Sequence, residues 1–119
     1  MNCHTAVIHI DYSRYMDELE AISALRALGE PTRWKVMRLL ASRQQGMAAG
    51  DIAEALQVRQ NTLSSHIAAL RRCGLIDGHR QGRQIVYSAD SGTARRLATH
   101  VLISLGDVPE SAAAKFLKK

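Results

Sequence analysis

The chain has 119 residues, 46% of them hydrophobic but only 4% aromatic, and carries a formal net charge of +5 with a pI near 9.7. That length supports one core, so residues 1–119 are expected to form a single domain, and the shortage of aromatics beside many Ala and Leu argues against an all-β fold. No apolar run reaches transmembrane length and no cationic start leads into an apolar signal core, so the sequence predicts a cytoplasmic chain with no membrane partner.

Charge is distributed unevenly. Residues 57–119 hold ten lysines and arginines against four acids, whereas residues 1–56 hold six against seven. A positive C-terminal half is what a polyanion partner requires, although a merely solvated basic surface gives the same count.

In chain order, residues 1–10 form a short lead whose alternating Val7-Ile8-His9-Ile10 stays unassigned. Over residues 11–28, Tyr12, Tyr15, Met16, Leu19, Ile22, Leu25 and Leu28 recur at three- and four-residue steps, predicting an amphipathic helix. Core packing explains part of so wide an apolar face, and contact with a second copy of the chain explains the rest. Gly29-Glu30-Pro31 breaks the helix and sets Pro31 at the first position of the next. Residues 32–42 then supply Trp34, Val36, Met37, Leu39 and Leu40, predicting a buried helix. Arg33, Lys35 and Arg38 fall on its polar side, either solvated or reaching phosphates.

Residues 47–88 are the stretch the rest serves. Ile52, Ala53 and Leu56 give a two-turn helix over residues 50–56, with Asp51 and Glu54 near its positive end. Gln57-Val58-Arg59 reads as a turn pinned to the core by Val58. From Gln60 to Cys73 the residues Leu63, Ile67 and Leu70 mark a core side, while Asn61, Thr62, Ser64, Ser65 and His66 mark a polar side free of acids. Arg71 and Arg72 suit the last turn, and Gly74 stands where a terminating glycine is expected. Two β-prone segments, 75–80 and 83–88, flank Gln81-Gly82, which predicts a hairpin with a basic tip. Beyond it, Asp90 or Ser91 caps a helix over residues 91–105 with Leu97, Val101, Leu102 and Leu105 on its apolar face, ended by Gly106 and Pro109. The tail 110–119 is short, basic and mildly helical.

The expected fold is therefore mainly α with a small β-hairpin: a winged helix-turn-helix, with the helix-turn-helix over residues 50–73 and the wing over 75–88. Helices 11–28 and 91–105 are the expected dimerisation helices of a homodimer. These parts fit double-stranded DNA, because a helix fits the major groove, amide and hydroxyl side chains read base edges, and arginines hold phosphates. The candidate DNA contacts are Gln60, Asn61, Thr62, Ser64, Ser65 and His66 at the major groove, Arg80 and Arg83 on the wing, and Arg59 just ahead of the helix. His66 also has a plainer reading as a solvated polar residue.

With these residues in view, the stretch Leu25 to Leu105 resembles the ArsR/SmtB family of small dimeric winged-helix repressors. The resemblance is carried by Leu28-Gly29-Glu30-Pro31-Thr32-Arg33, by Gln60 to Ile67 with Leu70-Arg71 and Gly74-Leu75, and by Gly82 to Tyr87. It implies a dimer that binds an inverted-repeat operator and leaves it when an inducer, often a metal ion or arsenite, binds the protein. The departures bear on the inducer. The stretch Met47 to Asp51 has no Cys-x-Cys pair, the last helix offers only His100 after Asp90, and Leu105 to Pro109 has no paired cysteines.

The soft-ligand candidates reduce to Cys3, His4 and Cys73, with His9 nearby, so a metal or metalloid cofactor has no assigned site. The two cysteines form no CxxC, and Cys73 beside Gly74 has its commonest reading as a small inert core residue. A metal ion, a redox signal, a small molecule or no inducer at all stay open. Catalysis is not expected: Ser64-Ser65-His66 lacks an orienting acid, and no Gly-rich phosphate loop or HExxH is present. A winged protein-interaction module is the other alternative, but Asp77 is the one acid between residues 57 and 89, which favours DNA.

Overall fold

The computed structural model describes residues 16–106 and 109–113. The expectations on Cys3, His4, His9, Tyr12 and Tyr15 lie outside those residues. In order the elements are α1 (Glu18–Leu28), α2 (Pro31–Ala41), β1 (Met47–Ala48), α3 (Ala49–Leu56), α4 (Gln60–Arg72), β2 (Ile76–Gln81), β3 (Gln84–Ala89), α5 (Ser91–Leu105) and α6 (Glu110–Ala113).

Among the described residues the first helix begins at Glu18, and its cap shows why. Asp17 is extended, its carboxylate accepts from Glu20 N at 2.8 Å, and Glu20 Oε1 accepts from Asp17 N at 3.1 Å. This reciprocal capping box satisfies two backbone donors and fixes the start. The face α1 turns inward is made of Ala21, Ala24 and Ala27, whose small side chains let it lie close to its neighbours. Of the residues whose spacing marked the helix, Leu19 (80% exposed), Ile22 (44%) and Leu25 (45%) stay outside, whereas Met16 is buried and Leu28 packs against the core.

Glu30 caps α2 by accepting from Arg33 N at 3.0 Å, with Pro31 in the first turn. Val36 and Leu40 are buried, whereas Trp34, expected in the core, is 54% exposed. Trp34 stands two residues from Val36, about 200° around the helix, so the two cannot share a face.

The helix-turn-helix turns at Gln57, which takes a left-handed φ of 56° while Val58 N donates to Ala53 O at 3.0 Å. Leu63, Ile67 and Leu70 face inward from α4 as the spacing predicts, joining Val36, Leu40, Ile52, Leu75, Ile76 and Leu97 in one core. Gly74, at φ +76°, ends α4.

The wing is wider than a hairpin. Met47 pairs with Tyr87 and Ala48 with Val86, making a three-stranded antiparallel sheet in the order β1-β3-β2. Gln81 pairs with Gln84, so the two-residue loop is Gly82-Arg83, one position later than expected. Gly82 at φ +64° supplies the positive φ that a type II′ hairpin needs at its first central residue. Asp90 caps α5 by accepting from Thr93 N at 3.1 Å. Leu97 is buried beneath it, but Leu105, expected on the same apolar face, is 81% exposed. Among the described residues no helix is long and apolar enough to cross a membrane.

Candidate nucleic-acid interface

Because Leu63, Ile67 and Leu70 commit one side of α4 to the core, its other side is forced outward. Gln60, Asn61, Thr62, Ser64 and Ser65 are all exposed on it. Ser64 Oγ donates to Gln60 O at 3.0 Å and Ser65 Oγ to Thr62 O at 3.0 Å, which orients both hydroxyls with lone pairs left to accept. Asn61 Oδ1 accepts from Thr62 N at 2.9 Å, so its amide N–H groups remain for an outside acceptor. Arg59 precedes the helix in extended conformation without capping it through its own side chain, and the first turn holds no acid. An unopposed dipole makes this helix end hospitable to a phosphate.

The sheet brings the wing to α4. A cleft of about 400 Å³ is lined by Gln60 and Ser64 of α4, by Arg83, Gln84, Ile85 and Tyr87 of the wing, and by Ala48 to Gly50. It gathers three residues expected from the sequence, Gln60, Ser64 and Arg83, around one space. Arg80 sits further along β2, exposed and paired with Ile85. Gln84 was not among the expected contacts; it enters because the loop begins one residue late. Arg71 is placed differently from the wing arginines, with its guanidinium carbon 5.7 Å from the centroid of the Tyr87 ring. That cation–π contact ties the end of α4 to β3.

His66 departs from the exposed row. Its side chain is 15% exposed and turned towards α2, where Arg33 Nε donates to its Nδ1 at 3.1 Å and Glu30 Oε1 lies 3.8 Å away. The bond from the Arg33 backbone N–H holds the Glu30 carboxyl below its ordinary value, opposed by desolvation and helped by the Thr32 backbone N–H and the nearby Arg33 charge. Nothing in a single sequence links positions 33 and 66.

Cys73, expected in the core, is only partly buried. Its thiol lies 3.7 Å from Ser23 Oγ and donates to Ser23 O at 3.6 Å, joining the end of α4 to α1. Among the described residues no three His, Cys, Asp or Glu side chains come together in a way that could hold a metal ion. His100 Nδ1 is engaged with Met16 O, to which it donates at 3.0 Å.

Comparison with known proteins agrees with the fold. A helix-turn-helix domain family matches residues 28–79. The transcriptional repressor SdpR of Bacillus subtilis is 35% identical over 69 residues, covering 58% of this chain and 74% of that protein. The structure of an ArsR-like transcriptional regulator from Rhodococcus sp. RHA1 superposes with a TM-score of 0.63 at 28% identity, covering 70% of this chain and 76% of that one. A homodimeric winged helix-turn-helix DNA-binding domain from Mycobacterium bovis, solved by NMR, gives a TM-score of 0.60 at 26% identity over 71% of this chain and 78% of that one.

Proposed function

The chain belongs to the ArsR/SmtB family of winged helix-turn-helix transcriptional regulators, and on that premise we propose that it is a homodimeric repressor of an inverted-repeat operator, released by an inducer. It is a DNA-binding transcriptional regulator, and the observation that carries the rest is the cleft in which Gln60 and Ser64 of α4 meet Arg83 of the wing. Amide and hydroxyl groups suit base edges, and the arginine suits the adjacent backbone. Gln60, Asn61, Thr62, Ser64 and Ser65 read the major groove, while Arg59, Arg80 and Arg83 hold phosphates. His66 contributes from behind this row.

The dimer is supported by what α1 and α5 leave uncovered. Leu19, Ile22, Leu25 and Leu105 are exposed, and an apolar groove of about 560 Å³ runs between α1, α2 and α5 along Leu28, Trp34, Met37 and Val101. A second copy related by a two-fold axis would cover that surface and place two α4 helices roughly 34 Å apart, one turn of duplex. The single core supports reading residues 1–119 as one domain, and a duplex DNA partner supports a cytoplasmic location. The relatives that the chain matches are transcriptional regulators, which supports a role without catalysis.

The test is fluorescence anisotropy of the purified protein on DNA from immediately upstream of its own coding sequence, against random DNA. Salt, zinc, arsenite and reductant would each be varied. Tight, salt-steep binding to the upstream fragment that one additive releases is the expected result. Equal binding to both fragments under every condition would sink the repressor reading.

A further inference from the structure

Arg33 and His66 lie on different helices, and the direction of the bond between them has a chemical consequence. A guanidinium has five N–H donors, no acceptor, and a charge it does not lose. Since Arg33 Nε donates to His66 Nδ1 at 3.1 Å, Nδ1 carries a lone pair. The neutral ring then bears its proton on Nε2. Among the described residues Nε2 has no hydrogen-bond partner, and part of the side chain stays accessible beside Ser65 and one turn from Thr62.

We propose that Arg33 is a positioning residue for DNA recognition: by holding Nδ1 it fixes the Nε2–H tautomer of His66, so that α4 presents a hydrogen-bond donor there to an acceptor on the duplex. The proposal rests on the regulator reading and deepens it. The acceptors available are guanine N7 and O6, adenine N7, thymine O4 and phosphate oxygens; the amino groups of adenine and cytosine are refused, because they too only donate. The logic is that of a metal-binding imidazole, whose second nitrogen is held so that the first performs one task.

The experiment begins with the unaltered full chain labelled with ¹⁵N-histidine. Long-range proton–nitrogen spectra, free and with the upstream DNA fragment, should show His66 protonated at Nε2 alone; a ring protonated at Nδ1, or an even mixture, overturns the proposal. Arg33→Met, which keeps the length but removes the donor, should mix the tautomers and weaken specific binding by about tenfold. His66→Gln keeps one acceptor for Arg33 and one donor for DNA. It should recover most of the affinity that His66→Ala loses.

His66→Ala should weaken binding, and DNA carrying 7-deazaguanine tests guanine N7 as the acceptor. A loss with the unaltered chain that is absent in His66→Ala assigns guanine N7, and no loss assigns one of the other acceptors, guanine O6, adenine N7, thymine O4 or a phosphate oxygen. Unchanged affinity in both Arg33→Met and His66→Ala overturns the proposal. Failure of the unaltered chain to prefer any DNA would instead sink the regulator reading, and the tautomer measurement would stand apart from it.

Discussion

A β-carbon on Gly46 would stand 2.7 Å from the Tyr87 carbonyl oxygen, because the loop leaving α2 passes directly against β3. Ser88 Oγ at 2.7 Å and Val86 Cγ1 at 2.8 Å close the remaining space, and Gly46 holds a φ of +83°. Gly82 is a natural control: its φ is +64°, yet nothing lies within 4 Å of the added carbon. Gly82→Ala should cost only the left-handed backbone penalty, about 1 kcal/mol. Gly46→Ala should cost that and the displacement of β3 as well, about 2 kcal/mol or more. Urea midpoints compare the two directly, and equal losses would mean that β3 gives way freely. Because β3 carries Gln84 and Tyr87, Gly46→Ala should also loosen the cleft between α4 and the wing.

The two faces of α1 make opposite predictions. Ala24 is fully buried, so Ala24→Leu forces extra methylenes into a filled core and should cost about 1–3 kcal/mol. Ile22 is 44% exposed in the protomer, so Ile22→Lys should leave helix content intact and abolish the dimer. Circular dichroism and sedimentation equilibrium separate these outcomes. An Ile22→Lys protein that still sediments as a dimer would move the interface off this face.

Much of the reader was legible because its signals are local. Leu63, Ile67 and Leu70 repeat within one helix, Gly74 terminates it, and Asp90 caps the next, all within a few residues of what they determine. The features that escaped depend on distance. The strand β1 is two residues long and exists only through pairing with Val86 and Tyr87, some forty positions away. The apolar spacing of Leu19, Ile22 and Leu25 correctly marks a helix but does not say whose core it faces; the alanines between them take the inner side. Trp34 misled for a related reason, since hydrophobicity alone does not give azimuth. In the candidate site, Gln60, Ser64 and Arg83 were accessible to sequence reasoning, whereas Gln84 needed the hairpin register and His66 needed Arg33 across two helices.

Arg83 and Asn61 should fail in different ways. Arg83 is exposed at the tip of the wing and bounds the cleft. Removing a phosphate-neutralising charge lowers affinity for all sequences and flattens the salt slope by about one unit. Asn61 has free amide donors, so Asn61→Ala should instead change the preferred sequence, costing about 1–3 kcal/mol on the correct site and little on random DNA. Anisotropy titrations at several salt concentrations on matched and scrambled duplexes read both effects. An unchanged slope in Arg83→Ala would remove the wing from the interface.

Glu30 links stability to acid. Its carboxylate caps α2 through the Arg33 N–H at 3.0 Å, and that bond is the main reason its pKa lies below the ordinary 4.5. A carboxyl with a depressed folded-state pKa is protonated first in the unfolded chain. Its contribution is therefore fully present above pH 4.5 and is lost as pH falls through the folded-state value. Glu30→Gln keeps an oxygen acceptor for the cap but cannot ionise. At neutral pH the variant should be the less stable of the two, because an amide caps a helix start without the charge that favours it. Below pH 4.5 the gap should narrow as the native carboxyl takes up its proton. Urea unfolding of both proteins from about pH 7 down to about pH 3 measures the gap directly. A gap that stays constant through that range would mean that the charge on Glu30 does nothing for α2. A gap that closes would show that the residue capping α2, and standing beside Arg33 and His66, stabilises the fold in its ionised form.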